Sequence, residues 1–194
     1  MPLKLKLNAF SLSDFNAANK RILAYRNSLI QKCGTFVSKL ANKGILVGER
    51  VLGDSGEGYG KYITFGVDLE YGKYKCKGLM YATNTGIIKS QWKTIDDNGN
   101  EVVREEDVSP LLMVEFGAGL RAERSSNAWA SKFGMGTGTF PNQTHAFDPE
   151  GWWYKGMDDE WHHSYGVYAS MPVYHAMMEM MDEIHNTAME VFGP

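Results

Sequence analysis

The sequence predicts an α+β fold in which two amphipathic helices, one near each end of the chain, pack on one face of an antiparallel β-sheet. Apolar residues recur at steps of three and four over residues 12–43 and again over 172–192. Between these two segments the chain alternates apolar and polar residues, which is typical of strands. A length of 194 residues with 43% apolar content suits a single domain spanning 1–194.

The long N-terminal helix is predicted by one apolar stripe with charged residues on the other side of the helix. Ser11 or Ser13 can cap its start, and Asp14 suits the positive end of the helix dipole. Gly44 is expected to stop or bend this helix, so residues 45–52 are assigned a separate short helical turn. The stripe consists of Phe15, Ala18, Ile22, Tyr25, Leu29, Cys33, Phe36 and Leu40.

A β-sheet is predicted over residues 60–118, after a glycine-rich loop of sequence GDSGEGYG. Three segments alternate and are rich in Tyr, Ile, Val and Thr: KYITFGVDLEYG, KYKCKGLMYATN and GIIKSQWKTI. The Asn98-Gly99 pair predicts a hairpin over 88–108 with EVVREEDV as its returning arm, and the charge of that arm indicates that the hairpin projects. The apolar run LLMVEFGAG at 111–119 is predicted to be the most buried strand.

The last third of the chain begins with an extended Gly-rich loop, predicted over 119–150 because this stretch lacks periodicity. A loop of that length inside a domain is typically functional or orders only in a complex. GWWYKG and EWHHSYG then predict a hairpin that begins at residue 151. Ser170 and Pro172 mark the start of the closing helix, which reaches residue 192.

Composition limits the functional class. The two cysteines have no metal-binding or redox spacing, which favours free thiols in a reducing compartment. No signal peptide or membrane helix is predicted, so we expect a soluble protein made in the cytoplasm. Residues 1–45 hold eight Lys or Arg and one Asp, whereas 146–194 hold one Lys and nine Asp or Glu. This polarity suits a basic nucleic-acid arm, head-to-tail contacts between copies, or separately solvated faces.

Glu115 is the most conspicuous candidate for chemistry because it interrupts an apolar run. A catalytic carboxylate needs a partner acid or base in a pocket, and the sequence contains no recognisable acidic pair motif. We interpret Glu115 as a structural residue that accepts hydrogen bonds from loop amides or faces a neighbouring element.

The other candidates also favour structural roles. Gly134, Gly136 and Gly138 resemble a phosphate loop but lack its Gly-Lys-Ser/Thr end. The five histidines have no zinc spacing, and His162 and His163 on one strand point to opposite faces. The aromatic cluster around Trp152 lies in an acidic segment, which opposes base stacking. The sequence therefore predicts no catalytic, cofactor or metal site. The five histidines considered are His145, His162, His163, His175 and His185.

Four segments resemble the neck, or tail-completion, proteins of long-tailed bacteriophages, which join the DNA-filled head to the tail. The helix pair of that family is resembled by LANKGILVGERVL. Its apolar strand with Glu-Phe-Gly-x-Gly is resembled by YATNTGIIKSQW and LLMVEFGAG. Its C-terminal segment, which contains Gly, Trp and His, is resembled by residues 136–180. The resemblance covers residues 12–192. Ala118 stands where the family has Thr, Phe140 stands where it has Tyr, and the hairpin 88–108 is longer than expected.

This resemblance implies a non-enzymatic virion protein that forms a homo-oligomeric ring at the neck. Its partners would be other neck or connector proteins and tail-terminator or tail-tube proteins, with no membrane. Lys89, Lys93, Arg121 and Arg124 would contact channel DNA non-specifically if they line the bore. Two alternatives stay open at this point: a metal- or Glu-dependent hydrolase using Glu115 with His145 or His163, and a nucleic-acid module using the basic first helix.

Overall fold

A computed structural model describes residues 12–55, 58–119, 149–156 and 158–193. It confirms the α+β class, with long helices near both ends of the chain and antiparallel strands between them. The first helix, α1, spans Leu12–Ser55, and a short 3-10 helix follows at Tyr59–Tyr62. The closing helix, α3, spans Pro172–Phe192.

The strands agree with the alternating segments of the sequence. They are β1 (Ile63–Tyr71), β2 (Cys76–Asn84), β3 (Ile88–Ile95), β4 (Glu101–Val108), β5 (Ala118–Gly119), β6 (Trp152–Lys155), β7 (Trp161–Ser164) and β8 (Gly166–Val167). Among the described residues they form three sheets rather than one continuous sheet: β1-β2, β4-β3-β6-β7 and β5-β8. The predicted extended loop falls mostly on residues 120–148, which lie outside the described residues.

The hairpin β3–β4 is confirmed, and its turn has a clear physical basis. Gly99 has a φ of 82°, a conformation that glycine adopts without steric cost. The Asp96 carboxylate accepts hydrogen bonds from the amides of Asn98 and Asn100 at 2.9 and 2.8 Å, and these bonds lower the pKa of Asp96. β6 pairs with β3 only over 89–91, so the hairpin extends beyond its neighbour in the sheet.

The prediction that 111–119 is a strand was wrong. Pro110–Phe116 form a helix, α2, and only Ala118 and Gly119 are extended. Ser109 caps this helix, with its hydroxyl accepting from the Leu112 amide, and Pro110 occupies the first turn. Because the segment is buried almost throughout, its apolar run carries no periodicity that would separate a short helix from a strand.

The expected break at Gly44 was also wrong, because α1 continues through this glycine to Ser55 and includes the start of the predicted loop. A glycine inside a helix costs about 1 kcal/mol relative to alanine, which burial of the helix face can offset. Gly44 is itself buried, so its small size suits a packed position.

The chain divides into two compact units. One contains the described parts of 1–43, 67–80 and 180–194, and the other contains those of 44–66 and 81–179. The expectation of one domain stays a prediction. The main hydrophobic core belongs to the second unit and consists of Leu52, Tyr59, Tyr62, Ile63, Ile88, Val108, Met113, Val114, Ala118, Trp152 and Val167.

Glycines let α1 approach the strands closely in each unit. In the first unit, the ring of Tyr71 lies where a side chain at Gly34 would have to sit. In the second unit, a Cβ atom added to Gly48 would lie 2.5 Å from Cζ of Phe65. A Cβ atom added to Gly53, further along α1, would have no neighbouring atom within 4 Å.

We therefore expect alanine to have opposite effects at two glycines of α1. Gly48→Ala should lower the free energy of unfolding by about 1–3 kcal/mol, because the Phe65 ring must move. Gly53→Ala should raise it by about 0.5–1 kcal/mol, because alanine favours the helix and meets nothing. Urea unfolding of both variants provides the measurement, and equal effects would contradict the contact between Gly48 and Phe65.

Candidate functional site

Glu115 lies at the centre of the second unit and is 6% exposed. Its two carboxylate oxygens accept hydrogen bonds from the backbone amides of Val173 (Oε2, 2.8 Å) and Tyr174 (Oε1, 3.1 Å). These amides belong to the first turn of α3, where backbone N–H groups have no partner within the helix. The negative charge also suits the positive end of the helix dipole. Glu115 therefore serves as the N-terminal cap of α3, supplied by α2.

The backbone beside Glu115 strengthens this connection. The carbonyl oxygen of Val114 accepts from the amides of Ser170 and Met171 at 2.9 and 3.1 Å, and from the Ser170 hydroxyl at 3.3 Å. Met171 has a φ of 55°, which is unusual for a residue with a side chain. Two adjacent residues of α2, Val114 and Glu115, therefore bind the turn that leads into α3 and the first turn of α3 itself.

The N-terminus of α2 is held by a residue that the sequence analysis did not single out. The Asn84 side chain donates to the Ser109 hydroxyl at 2.8 Å and accepts from the Leu111 amide at 2.9 Å. Asn84 ends β2, so α2 is connected to a strand at its start and to α3 at its end. The Ser-Pro pair at 109–110 is a helix-start signal, which could have identified α2 from sequence.

The two adjacent histidines have separate environments. His162 lies 3.1 Å from an Asp158 carboxylate oxygen and stacks on Tyr154, whose pKa is raised by burial. The hydrogen bond from His162 is the main reason that the pKa of Asp158 is lowered. His163 instead lies 2.7 Å from the Glu150 carbonyl oxygen, next to the Trp153 ring. The two imidazoles thus face opposite sides of β7 and do not form one site.

The remaining candidates do not converge on a reactive centre in the described part of the chain. Within those residues no group of three His, Cys, Asp or Glu side chains is placed to hold a metal ion. Cys33 and Cys76 are free thiols. His175 and His185 both lie on α3, and the Tyr174 and His175 rings are 5.7 Å apart. His145, Gly134, Gly136, Gly138, Arg121 and Arg124 lie outside the described residues.

A hydrolase built on Glu115 would need this carboxylate to face a histidine and a substrate. Its oxygens accept amides of α3 instead, and His163 is engaged by the Glu150 carbonyl. Lys89, considered above for DNA contact, lies 3.5 Å from Glu105. The described residues also present two exposed surfaces with distinct composition.

Four large apolar residues in line on the first half of α1 form the most extensive of these surfaces. They are Phe15 (68% exposed), Ile22, Tyr25 and Leu29, named here the bare stripe. Ala18, between Phe15 and Ile22 on the same stripe, is buried, and the stripe continues into Cys33, Phe36 and Leu40, which are at least partly covered. From Phe15 to Leu29 the helix rises about 21 Å. Single exposed apolar residues are ordinary, but an aligned set of this length indicates a binding surface.

The second surface is one face of the β3–β4 hairpin. Ile95 is 71% exposed and Val103 is 53% exposed, and their positions in the register place them on the same face. The hairpin as a whole has an acidic excess: residues 88–108 contain six Asp or Glu against Lys89, Lys93 and Arg104. Asp97 and Asp107 are exposed and form no ion pair within the described part of the chain. This face of the hairpin therefore combines an exposed apolar pair with an excess of acidic residues.

An ion-pair cluster connects α1 and α3 within the first unit. Lys43 lies 2.7 Å from Glu183 and 3.3 Å from Glu190, and Lys39 lies 3.0 Å from Glu190. The hydrogen bond to Glu183 chiefly raises the pKa of Lys43, and that from Lys43 lowers the pKa of Glu183. Lys39, followed by Lys43, lowers the pKa of Glu190. These pairs involve two of the eight basic residues of 1–45 and two of the nine acidic residues of 146–194.

The methionines of α3 do not all become buried. Met177, Met178 and Met180 are partly covered, whereas Met181 is 58% exposed. The described helices include none that is both long enough and apolar enough to cross a membrane. No protein-family model, curated protein or solved structure matches the chain.

The capping role of Glu115 predicts a loss of stability when the carboxylate is replaced. Glu115→Gln keeps one acceptor but places an amide group against a backbone N–H, which should cost about 1–3 kcal/mol of unfolding free energy. Glu115→Ala should cost about 2–4 kcal/mol, since it leaves both amides without this acceptor and creates a cavity. Urea unfolding followed by circular dichroism measures both.

Glu160→Gln is the matched control, because Glu160 is exposed and its change should stay within about 0.5 kcal/mol of wild type. If Glu115→Gln were as stable as Glu160→Gln, the cap would contribute nothing and the assignment would fail.

The ion-pair cluster predicts a specific dependence of stability on pH. The pKa values of Glu183 and Glu190 are lowered on folding, so their contribution is complete above the ordinary value of 4.5 and disappears as pH falls through the folded values. The pKa of Lys43 is raised, so its contribution holds below 10.5 and disappears at higher pH.

The stability difference between wild type and Lys43→Met should therefore be largest between about pH 5 and pH 10 and shrink toward pH 3. Urea midpoints at a series of pH values measure it. Lys20→Met, which removes a lysine without an ion pair in the described residues, should follow wild type at every pH. A constant difference for Lys43→Met would show that the cluster does not titrate as described.

Proposed function

We propose that the chain is a structural virion protein of a tailed bacteriophage that assembles into a ring at the neck and joins the head connector to the tail. The phage assignment is supported by the sequence resemblance over residues 12–192. The assembly role is supported by one structural observation above others. Four large apolar side chains remain exposed in line on α1, although the same stripe is covered further along the helix.

The environment of Glu115 supports a role without catalysis. This residue is the one buried carboxylate among the described residues, and it is occupied by the backbone of α3. His162 and His163 are engaged by other partners, Asp158 and the Glu150 carbonyl oxygen. Burying a charged group is costly, and here the buried carboxylate holds α2 and α3 together, which is typical of a structural role.

In this proposal the chain contacts copies of itself around the ring, connector proteins on one side and tail-terminator or tail-tube proteins on the other. The hairpin β3–β4 and the segment at 119–150 supply partner contacts. Channel DNA is contacted through basic side chains without base recognition, since phosphate contacts alone carry no sequence information. The protein is made in the host cytoplasm and resides in the virion.

Deleting the gene from the phage that encodes it tests this proposal. Without the neck subunit, electron microscopy of lysates should show DNA-filled heads and tails that are not joined, with infectivity reduced by orders of magnitude. Supplying the wild-type chain from a plasmid should restore joined particles. Particles that are joined and infectious without the gene would refute the neck assignment.

Complementation with Glu115→Gln separates the proposal from the hydrolase alternative. A scaffold carrying this change should restore joining in proportion to the amount of folded protein, which a lower growth temperature increases. A catalytic Glu115 would give no restoration even where folded protein reaches the wild-type level.

A further inference from the structure

The bare stripe on α1 has a charge pattern that restricts what can cover it. At 100° per residue, Arg21, Arg26 and Lys32 lie within about 90° of the centre of the stripe, whereas Lys20 lies on the opposite side of the helix. None of the three forms an ion pair within the described residues, although Arg26 donates to the Asn27 side chain at 3.1 Å. Asp14 lies within the same angle, so the surface is apolar along its centre and its margins carry three basic residues and one acidic residue.

Two of the possible occupants fit this pattern poorly. A second α1 would bring the same basic margins together, and like charges across an interface cost several kcal/mol. The acidic face of α3 from another copy is already half engaged, because Glu183 and Glu190, two of its four acidic residues, bind Lys39 and Lys43. Pairing of two β4 edges is likewise opposed by the acidic side chains along that strand.

One face of the β3–β4 hairpin has the complementary pattern. It exposes Ile95 and Val103, and Asp97 at the turn and Asp107 near the base, opposite Lys89, have no ion pair within the described part of the chain. β4 is about 26 Å long at 3.3 Å per residue, comparable to the 21 Å of the bare stripe. A hairpin face with an acidic excess thus matches a stripe whose margins are mostly basic.

We propose that the β3–β4 hairpin of one copy docks on the bare stripe of α1 in the next copy. The two surfaces differ, so each copy offers one to each neighbour, and repetition forms a head-to-tail ring or filament. The inference rests on the self-assembly in the proposed function and adds the surfaces that meet. Nucleic acid would also be drawn to the basic margins, but four large apolar side chains favour a protein surface.

Charge reversal on each surface tests this pairing. Variant H carries Arg21→Glu and Lys32→Glu on the helix, and variant S carries Asp97→Lys and Asp107→Lys on the hairpin; all four positions are exposed. Each variant alone should self-associate at least about tenfold more weakly than wild type, since its own two surfaces then repel. Sedimentation velocity at low salt measures association, and circular dichroism establishes that the variants are folded.

Mixing the two variants gives the decisive measurement. In an equimolar mixture, the acidic hairpin of H meets the basic stripe of S, and the basic hairpin of S meets the acidic stripe of H. The mixture should therefore assemble where neither variant does alone, a rescue that misfolding cannot produce. Lys20→Glu, on the far side of α1, should associate like wild type within about twofold.

The outcomes separate this inference from the function on which it rests. A wild-type chain that stays monomeric up to its solubility limit, alone and with connector proteins, would refute self-assembly and the inference together. A wild-type chain that assembles, with H and S assembling equally well, would refute only this pair of surfaces. If H kept its self-association but lost salt-dependent DNA binding, the stripe would be a nucleic-acid surface and the inference would be wrong.

Discussion

The carboxylate of Glu115 at the first turn of α3 is the interaction on which the second unit depends. A buried charge needs partners, and the backbone amides at the start of a helix are suitable ones, since no carbonyl within the helix reaches them. Glu115 belongs to α2, whose other end is held by Asn84 of β2. A seven-residue helix, too short to be stable alone, thereby connects a strand to the closing helix.

This use of the carboxylate has a functional consequence. The Glu115 carboxylate is engaged by the amides of α3, and His162 and His163 each have another partner. The reactive side chains Glu115, His162 and His163 are thus distributed through the framework, where each contacts a turn, a strand or a helix end. The features left unsatisfied are on the outside: an apolar stripe with mostly basic margins and a hairpin face with an acidic excess.

Much of the fold was predictable because its signals are local. Alternation of apolar and polar residues identified β1 to β4, Asn98-Gly99 identified the hairpin turn, and Pro172 marked the start of α3. The errors occurred where burial removes such signals. The segment 111–119 is apolar nearly throughout, and only the Ser109 cap distinguishes its helix from a strand. At Gly44, packing outweighs the weak helix propensity of glycine, so the expected break is absent.

The amino-acid sequence by itself determined where the long helices and the first four strands lie, because periodicity and turn chemistry act over a few residues. It also indicated that Glu115 is structural, without identifying its partners. Only the tertiary structure decided that Val173 and Tyr174, nearly sixty residues away, supply the amides, and that half of the α1 stripe is covered while half stays exposed. Contacts between distant segments depend on how packed elements meet in space, and no local pattern records that geometry.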